Sequence, residues 1–418
     1  MRTLAEWLQL HESVHPKSID LDLARVGEVA STLGLLPVPY PVITVGGTNG
    51  KGSTVAHLVA LFSALGMRTG AFTSPHLLRY NERIRIDAAE ASDAELIAAF
   101  ERIEAARATT TLTFFEFNTL AALITFAARN VEAAVLEVGL GGRLDATNLI
   151  DADVAVLASV GMDHRDYLGD DLESIGREKA GIFRTGRPAV LGSSDMPASV
   201  FAAIASSGAR ALIAGRDFSW KIDGERWSYQ GRGHYANLPR SALSGAIQYG
   251  NAATAIAALE ALALPRKLNR ELIAGALAQV RLRGRLQILP GAVEWILDVA
   301  HNEPAARVLA QHLKERPMSG RTFAVASILR DKDVAGIGRA LGAQIDCWIL
   351  CTLGGARGSS ASELATRLAP GMHARLELAD SIAAGCARAR AQARPGDRVL
   401  VFGSFPAVGS ALQWLGLY

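Results

Sequence analysis

Cysteine is nearly absent from this chain. Three occur in 418 residues, Cys347, Cys351 and Cys386, all of them late. They form no CxxC pair and no histidine–cysteine cluster, which excludes a disulfide scaffold and a zinc module and leaves structural thiols in a reduced, cytoplasmic protein. Lysine is also scarce: 7 of the 43 basic residues, the other 36 being arginine. The formal net charge of +2 offers no basic stripe for nucleic acid and no polybasic patch for a membrane. No uncharged apolar run approaches the roughly 18 residues of a membrane span. The opening MRTLAEWLQLHES carries charges at Arg2, Glu6 and Glu12 and lacks the apolar core of a signal peptide.

What is present is a long, half-apolar chain, and its length predicts two domains. Strand-like and helix-like segments alternate. PVITV (41–45), AAVLEVG (133–139), DVAVLASV (153–160) and PAVLG (188–192) are short apolar runs expected to form strands. Helices are expected over 53–65, from Asp93, over 118–128, 171–182 and 251–264. This rhythm predicts a parallel sheet with helices on both faces. Residues 215–240, with Trp220, Trp227, Tyr229 and Tyr235 among polar residues, read as short antiparallel strands. At ILPGAVEWILDVA the chain starts over, with two strands joined at Pro290-Gly291, and further β/α alternation follows. The expected fold class is α/β: a P-loop ATPase-type parallel-sheet domain over residues 1–286 and a second, smaller Rossmann-like α/β domain over 287–418.

The strongest local signal is PVITVGGTNGKGSTVAHLV, Pro41 to Val59. A β-branched run meets a glycine loop, and an apolar helical pattern follows at once. Backbone N–H groups at a helix amino terminus bind anions, and glycines let phosphate oxygens approach. Lys51 reaches toward outer phosphates, and a hydroxyl just after it can serve Mg²⁺. The candidate cradle is Gly47, Thr48, Asn49, Gly50, Lys51, Gly52 and Ser53. The strict GxxxxGK[ST] pattern is not met, because Val45 stands where its first glycine belongs and Gly52 follows the lysine. A tight turn with no ligand is the plain alternative. A lysine flanked by glycines at a strand-to-helix junction argues against it.

GTNGKGST resembles the ATP loop of the Mur ligase superfamily, ATP-dependent ligases that join an amino acid to a carboxylate. TSPHLLRYNERIRI (73–86), TFFEFNTLAAL (113–123), LEVGLGGRLDATN (136–148), MDHRDYLGDDLESIGREKAGI (162–182), DVAHN (298–302) and LRDKD (329–333) occur in this order. Together they resemble the folylpolyglutamate synthase and dihydrofolate synthase family, from about residue 11 to the end. The resemblance makes 1–286 an ATP-binding Mur-ligase-type central domain and 287–418 a glutamate-ligase domain.

Glu137 closes an apolar run and so stands at the carboxyl end of a strand, the edge facing the ligand crevice of a parallel sheet. From position alone a metal ligand and a surface charge are equally open. The resemblance implies that Glu137 and Ser74 bind Mg²⁺; a turn cap before Pro75 is the alternative for Ser74. It implies a second ion at His164, whose neighbours Asp163 and Asp166 either orient or compete with it. It also implies that Lys179 is carboxylated on its amine and helps hold that second ion. The competing reading is a solvated helix face, since Glu173 and Arg177 are spaced i, i+4. Of seven lysines only Lys51, Lys179 and Lys332 fall inside the quoted motifs.

Asn251, taken to open the helix NAATAIAALE, is implied to read adenine, with an ordinary helix cap as the alternative. Arg285 is implied to contact ATP phosphate, Asp298 the nucleotide, and His301 phosphate or incoming glutamate. Ser404 is implied to line the amino-acid pocket. Lys51, Lys179 and His301 form the implied catalytic set. Glu303 stands where the family pattern after AHN has proline, so the first turn of that helix is expected to differ.

The implied reaction is acyl activation: a carboxylate attacks the γ-phosphate of ATP, and the amine of L-glutamate displaces phosphate. The acceptors implied are dihydropteroate and reduced folates, with Phe115 and Asp145 at the pterin. Core packing for Phe115 and a turn cap through Asn148 for Asp145 are the competing readings. A folylpolyglutamate synthase alone, a Mur-type ligase with another acceptor, and a P-loop nucleotide switch remain as alternatives. The roughly 40 residues before Gly46 are too few for a UDP-sugar domain. A monomer is the default expectation.

Overall fold

The structure, a computed structural model, describes residues 2–368 and 374–418. The chain divides into two compact units: Met1–Gly161, Arg165–Ala242 and Tyr249–Val280 form one, and Met162–His164, Leu243–Gln248 and Arg281–Tyr418 the other.

The first unit is built on eight strands: β1 (Val42–Gly46), β2 (Thr69–Phe72), β3 (Ile84–Ile86), β4 (Ala89–Glu90), β5 (Ala133–Glu137), β6 (Val154–Leu157), β7 (Pro188–Leu191) and β8 (Arg210–Ile213). Their order is β4-β3-β2-β5-β1-β6-β7-β8. From β2 to β8 the pairing is parallel, as the βαβ rhythm requires. The edge β3–β4 is antiparallel, because its two very short strands follow one another through a tight turn and need no crossover helix. β1 is buried throughout, which suits its β-branched residues to a strand covered on both faces. It lies between β5 and β6, where the strand order reverses, so its carboxyl end opens at the switch point of the sheet.

The helix after β1 spans Lys51–Ala64 and starts two residues before the expected position. Gly50 takes φ +84° as its cap, a conformation cheap only for glycine. Leu58, Leu61 and Phe62 on this helix are at most 2 % exposed, and each contributes about 1.5–3 kcal/mol of burial. Helix Phe114–Ala128 begins four residues earlier than expected. Thr113 and Glu116 close a capping box there, a T-x-x-E signal readable in the sequence.

A three-stranded antiparallel sheet, β9 (Ser219–Asp223), β10 (Arg226–Gln230) and β11 (His234–Pro239), occupies the segment expected to hold one. The hydroxyls of Tyr229 and Tyr235 donate to Glu260 at 2.8 and 3.0 Å and tie this sheet to the helix Ile247–Ala261. That helix starts before Asn251, so Asn251 lies one turn inside it and neither opens nor caps it.

The second unit holds β12 (Gln287–Leu289), β13 (Glu294–Asp298), β14 (Thr322–Ala326), β15 (Cys347–Cys351), β16 (Arg375–Ala379) and β17 (Arg398–Phe402), in the order β12-β13-β17-β14-β15-β16. Only β12 is antiparallel, paired to β13 across the Pro290-Gly291 turn. Trp348 and Phe402 meet edge to face in its core, and Arg398 is buried against Glu294 at 2.8 Å. The helix Glu303–Glu315 forms despite the displaced proline: Asn302 caps it, Pro304 falls in its first turn, and Glu303 pairs with Arg307.

The α/β class with a P-loop-type sheet and a smaller Rossmann-like domain stands. No described helix is long and apolar enough to cross a membrane. All three cysteines are free and buried, and burial pushes the Cys351 and Cys386 thiols up to about 12.

Candidate active site

The loop after β1 is braced by the segment after β6. Thr48 N–H donates to Ser159 O at 2.8 Å, and Asn49 N–H donates to Ser159 Oγ at 3.0 Å. Thr48 Oγ1 donates to Gly161 O at 3.0 Å and accepts from Gly161 N–H at 2.9 Å. Gly47 holds φ +140°, and a Cβ there would stand 3.0 Å from Ser159 N, so no other residue fits without displacing that brace. Lys51 curls over the loop, its Nζ donating to Gly47 O at 2.9 Å and Thr48 O at 3.2 Å.

Lys179 arrives at the same place. Its Nζ donates to Gly47 O at 3.3 Å, so two amines converge on one carbonyl. Lys179 is 5 % exposed, which removes the reading of a solvated face. It shares the buried side of helix Leu172–Ala180 with Ile175 and Gly176. Glu173, expected on that face with Arg177, instead accepts from Ala198 N–H and Ser199 N–H at 3.1 and 2.7 Å and caps the next helix. Glu137 ends β5 opposite Val45 and is 4 % exposed; its carboxylate accepts from Ser74 N–H at 3.2 Å. Asn251 is buried with its Oδ1 3.0 Å from where a Cβ of Gly50 would stand. The loop, Lys51, Lys179 and Asn251 are thus one cluster, and Ser74 with Glu137 forms a pair on the adjacent strand end.

Phe115 and Asp145 meet through Gly139. The Phe115 ring lies against this glycine, and Asp145 Oδ2 accepts from its N–H at 3.0 Å and from Leu140 N–H at 2.8 Å. Asp145 Oδ1 takes Thr147 N–H and Oγ1 at 3.0 and 2.6 Å, so the side chain caps through Thr147, not Asn148. Burial pushes the Asp145 carboxyl up, against the pull of these hydrogen bonds.

In the second unit, Asp298 ends β13 and accepts from Leu286 N–H and Ala300 N–H, both at 2.7 Å. Burial raises its carboxyl, and the Arg285 guanidinium opposes that rise. Arg285 and His301 both lie against Phe405, at 4.9 and 6.1 Å. Ser404 is buried; its Oγ donates to Ser327 O at 2.9 Å and caps the final helix. His164 stands in left-handed backbone at φ +51°. Its neighbour Asp163 is the centre of a cluster that sequence reasoning missed: Lys332 Nζ at 2.6 Å, Asn302 Nδ2 at 3.0 Å and His301 Nε2 at 3.7 Å. Burial alone would raise the Asp163 carboxyl; the His301 side chain facing it and the neighbouring positive charges, Lys332 among them, hold it far below the usual range. The available signal was Lys332 itself, one of few lysines and inside a quoted motif.

Among the described residues no three of His, Cys, Asp and Glu gather as a metal cage. That is compatible with Mg²⁺, which takes one or two protein oxygens and completes its shell with phosphate and water. Glu137 and Ser74 supply hard oxygen donors at the strand edge and suit that ion.

Comparison with known proteins agrees with this geometry. The Mur ligase middle domain matches residues 45–259, and the Mur ligase glutamate ligase domain matches residues 284–405. Fold and site together define a Mur-type ligase. The dihydrofolate synthase/folylpolyglutamate synthase of Escherichia coli K12 is 42 % identical over 412 residues, 98 % of this chain and 95 % of that one. The structure of E. coli FolC with DHPP and ADP superposes with a TM-score of 0.94 at 41 % identity, covering 99 % of this chain and 98 % of that chain. A bifunctional folylpolyglutamate synthase/dihydrofolate synthase with Mn, AMPPNP and L-glutamate bound gives 0.92 at 42 % identity, covering 100 % and 99 %. The chain belongs to the dihydrofolate synthase/folylpolyglutamate synthase family.

Proposed function

We propose that the chain is an ATP-dependent ligase that joins L-glutamate to dihydropteroate, making dihydrofolate, and to reduced folates, extending their glutamate tails. The observation that carries this reading is the convergence of Lys51 and Lys179 on Gly47 O, with the Ser74–Glu137 pair on the adjacent strand end.

The acceptor carboxylate attacks the γ-phosphate of ATP, giving an acyl phosphate and ADP. The glutamate amine then attacks the acyl carbon, phosphate leaves with one former carboxylate oxygen, and the amine loses a proton. Lys51 and the loop N–H groups stabilise charge on the phosphoryl group in transit. Ser74 and Glu137 would hold Mg²⁺, which would supply further charge neutralisation at the phosphoryl group. Lys179 would carry a carbamate formed from its amine and CO₂ with loss of a proton, an anionic oxygen donor for a second ion, and His164 would be a ligand of that ion. Asn251 recognises adenine, Arg285 a phosphate and Asp298 the nucleotide. His301 and Ser404 serve the incoming glutamate. Phe115 lines the pterin pocket, and Asp145 shapes it by fixing the Gly139–Leu140 turn. On this reading 1–286 is the ATP domain and 287–418 the glutamate-ligase domain. The composition supports a cytoplasmic protein, and one chain is taken as the working unit.

The test is phosphate release from ATP with Mg²⁺ and L-glutamate, with dihydropteroate in one sample and a reduced folate in another. Release in both supports the bifunctional ligase. Release with the folate alone reduces the activity to polyglutamate synthesis and removes the pterin roles of Phe115 and Asp145. Release independent of glutamate makes the chain a nucleotide switch.

A further inference from the structure

The proposed chemistry leaves Asp163 unused, yet its carboxylate is engaged on every side. Oδ1 accepts from Lys332 Nζ at 2.6 Å and from the backbone N–H of His164 at 2.9 Å. Oδ2 accepts from Asn302 Nδ2 at 3.0 Å and faces His301 Nε2 at 3.7 Å and His164 Nε2 at 3.9 Å. The Asp163 and Lys332 side chains are 8 % and 4 % exposed. Lys332 also has Asp331 at 3.6 Å, and Asp331 is held in turn by Arg357 at 2.8 Å.

A buried ion pair is a poor device for stability, because desolvation offsets most of its attraction. It is a good device for fixing geometry. His164 holds a left-handed backbone, which is unfavourable for a residue with a side chain. The bond from its N–H to Asp163 holds it there. The other histidine, His301, has Nδ1 fixed on Val299 O at 2.8 Å, leaving Nε2 toward Asp163. One carboxylate thus faces both imidazoles, and one ammonium fixes that carboxylate.

We propose that Asp163, locked by Lys332, is a positioning residue that sets the His164 and His301 imidazoles for divalent-cation and glutamate binding. This rests on the roles proposed above for the two histidines. Carboxylates that orient ligand histidines typically change metal affinity about 10–100-fold when removed.

The experiment compares Asp163→Asn, Lys332→Met and the double variant with His164→Ala and His301→Ala. Three quantities are measured: the Mn²⁺ dissociation constant with a non-hydrolysable ATP analogue, by electron paramagnetic resonance; KM for L-glutamate apart from kcat; and the thermal midpoint. Removing both partners of a buried pair relieves the uncompensated charge left by removing one. The double variant is therefore expected to regain the midpoint that the single variants lose. Its Mn²⁺ affinity should stay at least about tenfold weakened, with KM for glutamate raised alongside. Recovery of Mn²⁺ affinity and KM together with the midpoint would make the pair merely structural and overturn the inference while leaving the ligase reading intact. Wild-type Mn²⁺ and glutamate binding in His164→Ala and His301→Ala would overturn the histidine roles, and the positioning role with them.

Discussion

Each unit ends a central strand in the residues assigned to the reaction, and the two edges carry opposite groups. β1 runs out into backbone N–H donors and two lysine amines gathered at Gly47 O. β13 runs out into Asp298, a carboxylate that itself takes two backbone N–H groups, and then into His301 and Asn302. The first edge gathers donors and is the one proposed to meet phosphate. The second is an acceptor surface, stabilised from within by the amides it consumes. The same parallel-strand architecture therefore gives no fixed electrostatic sign to a ligand edge; the few residues after the strand decide it.

Lys179→Ala cuts the first edge at its most specific point. We expect it to lose most ligase activity while far-UV circular dichroism and thermal midpoint show a folded protein; normal turnover would refute the carbamate role. Gly47→Ala attacks the same edge through its backbone. A Cβ 3.0 Å from Ser159 N forces the loop away from its brace, so ATP affinity should fall about tenfold or more by calorimetry, with the second unit unaffected.

Arg398→Met makes the complementary cut. It removes the buried one of two arginine partners of Glu294, Arg316 remaining at 2.9 Å, and should cost about 1–3 kcal/mol in denaturant unfolding of that unit, with ATP binding retained. Acid separates the units more gently. Burial holds His11, His57 and His76, all in the first unit, at about 3, 4 and 4, below the ordinary 6.5. Unfolding lets each bind a proton that it refuses when folded. Their contribution is present above pH 6.5 and is lost as pH falls toward 4, on the order of 1 kcal/mol per histidine per pH unit at most. In the second unit burial also lowers the His312 imidazole. Amide hydrogen exchange at pH 7 and pH 5 should therefore show the first unit's sheet core losing more protection than the second's.

The donor edge was legible because its signals are local. Glycine spacing, a lysine and a strand-to-helix switch sit within eight residues, and Glu137 announces itself by ending an apolar run. The capping box at Thr113 and Glu116 was equally local and marked a helix start that hydrophobic periodicity placed four residues late. The Asp163 cluster was not legible, because Asn302 and Lys332 lie 139 and 169 residues away in sequence and only the fold brings them together. Burial of Lys179 was hidden for a related reason. Glu173 looked like its surface neighbour until the following helix claimed that carboxylate as a cap.

Carboxylate activation is the central step, and oxygen transfer tests it most directly. Dihydropteroate labelled with ¹⁸O in its carboxylate is turned over with ATP and L-glutamate, and the released phosphate is examined by mass spectrometry. An acyl phosphate route puts one labelled oxygen into each phosphate. Unlabelled phosphate would mean that ATP is hydrolysed by water and that the donor edge around Gly47 serves some other chemistry.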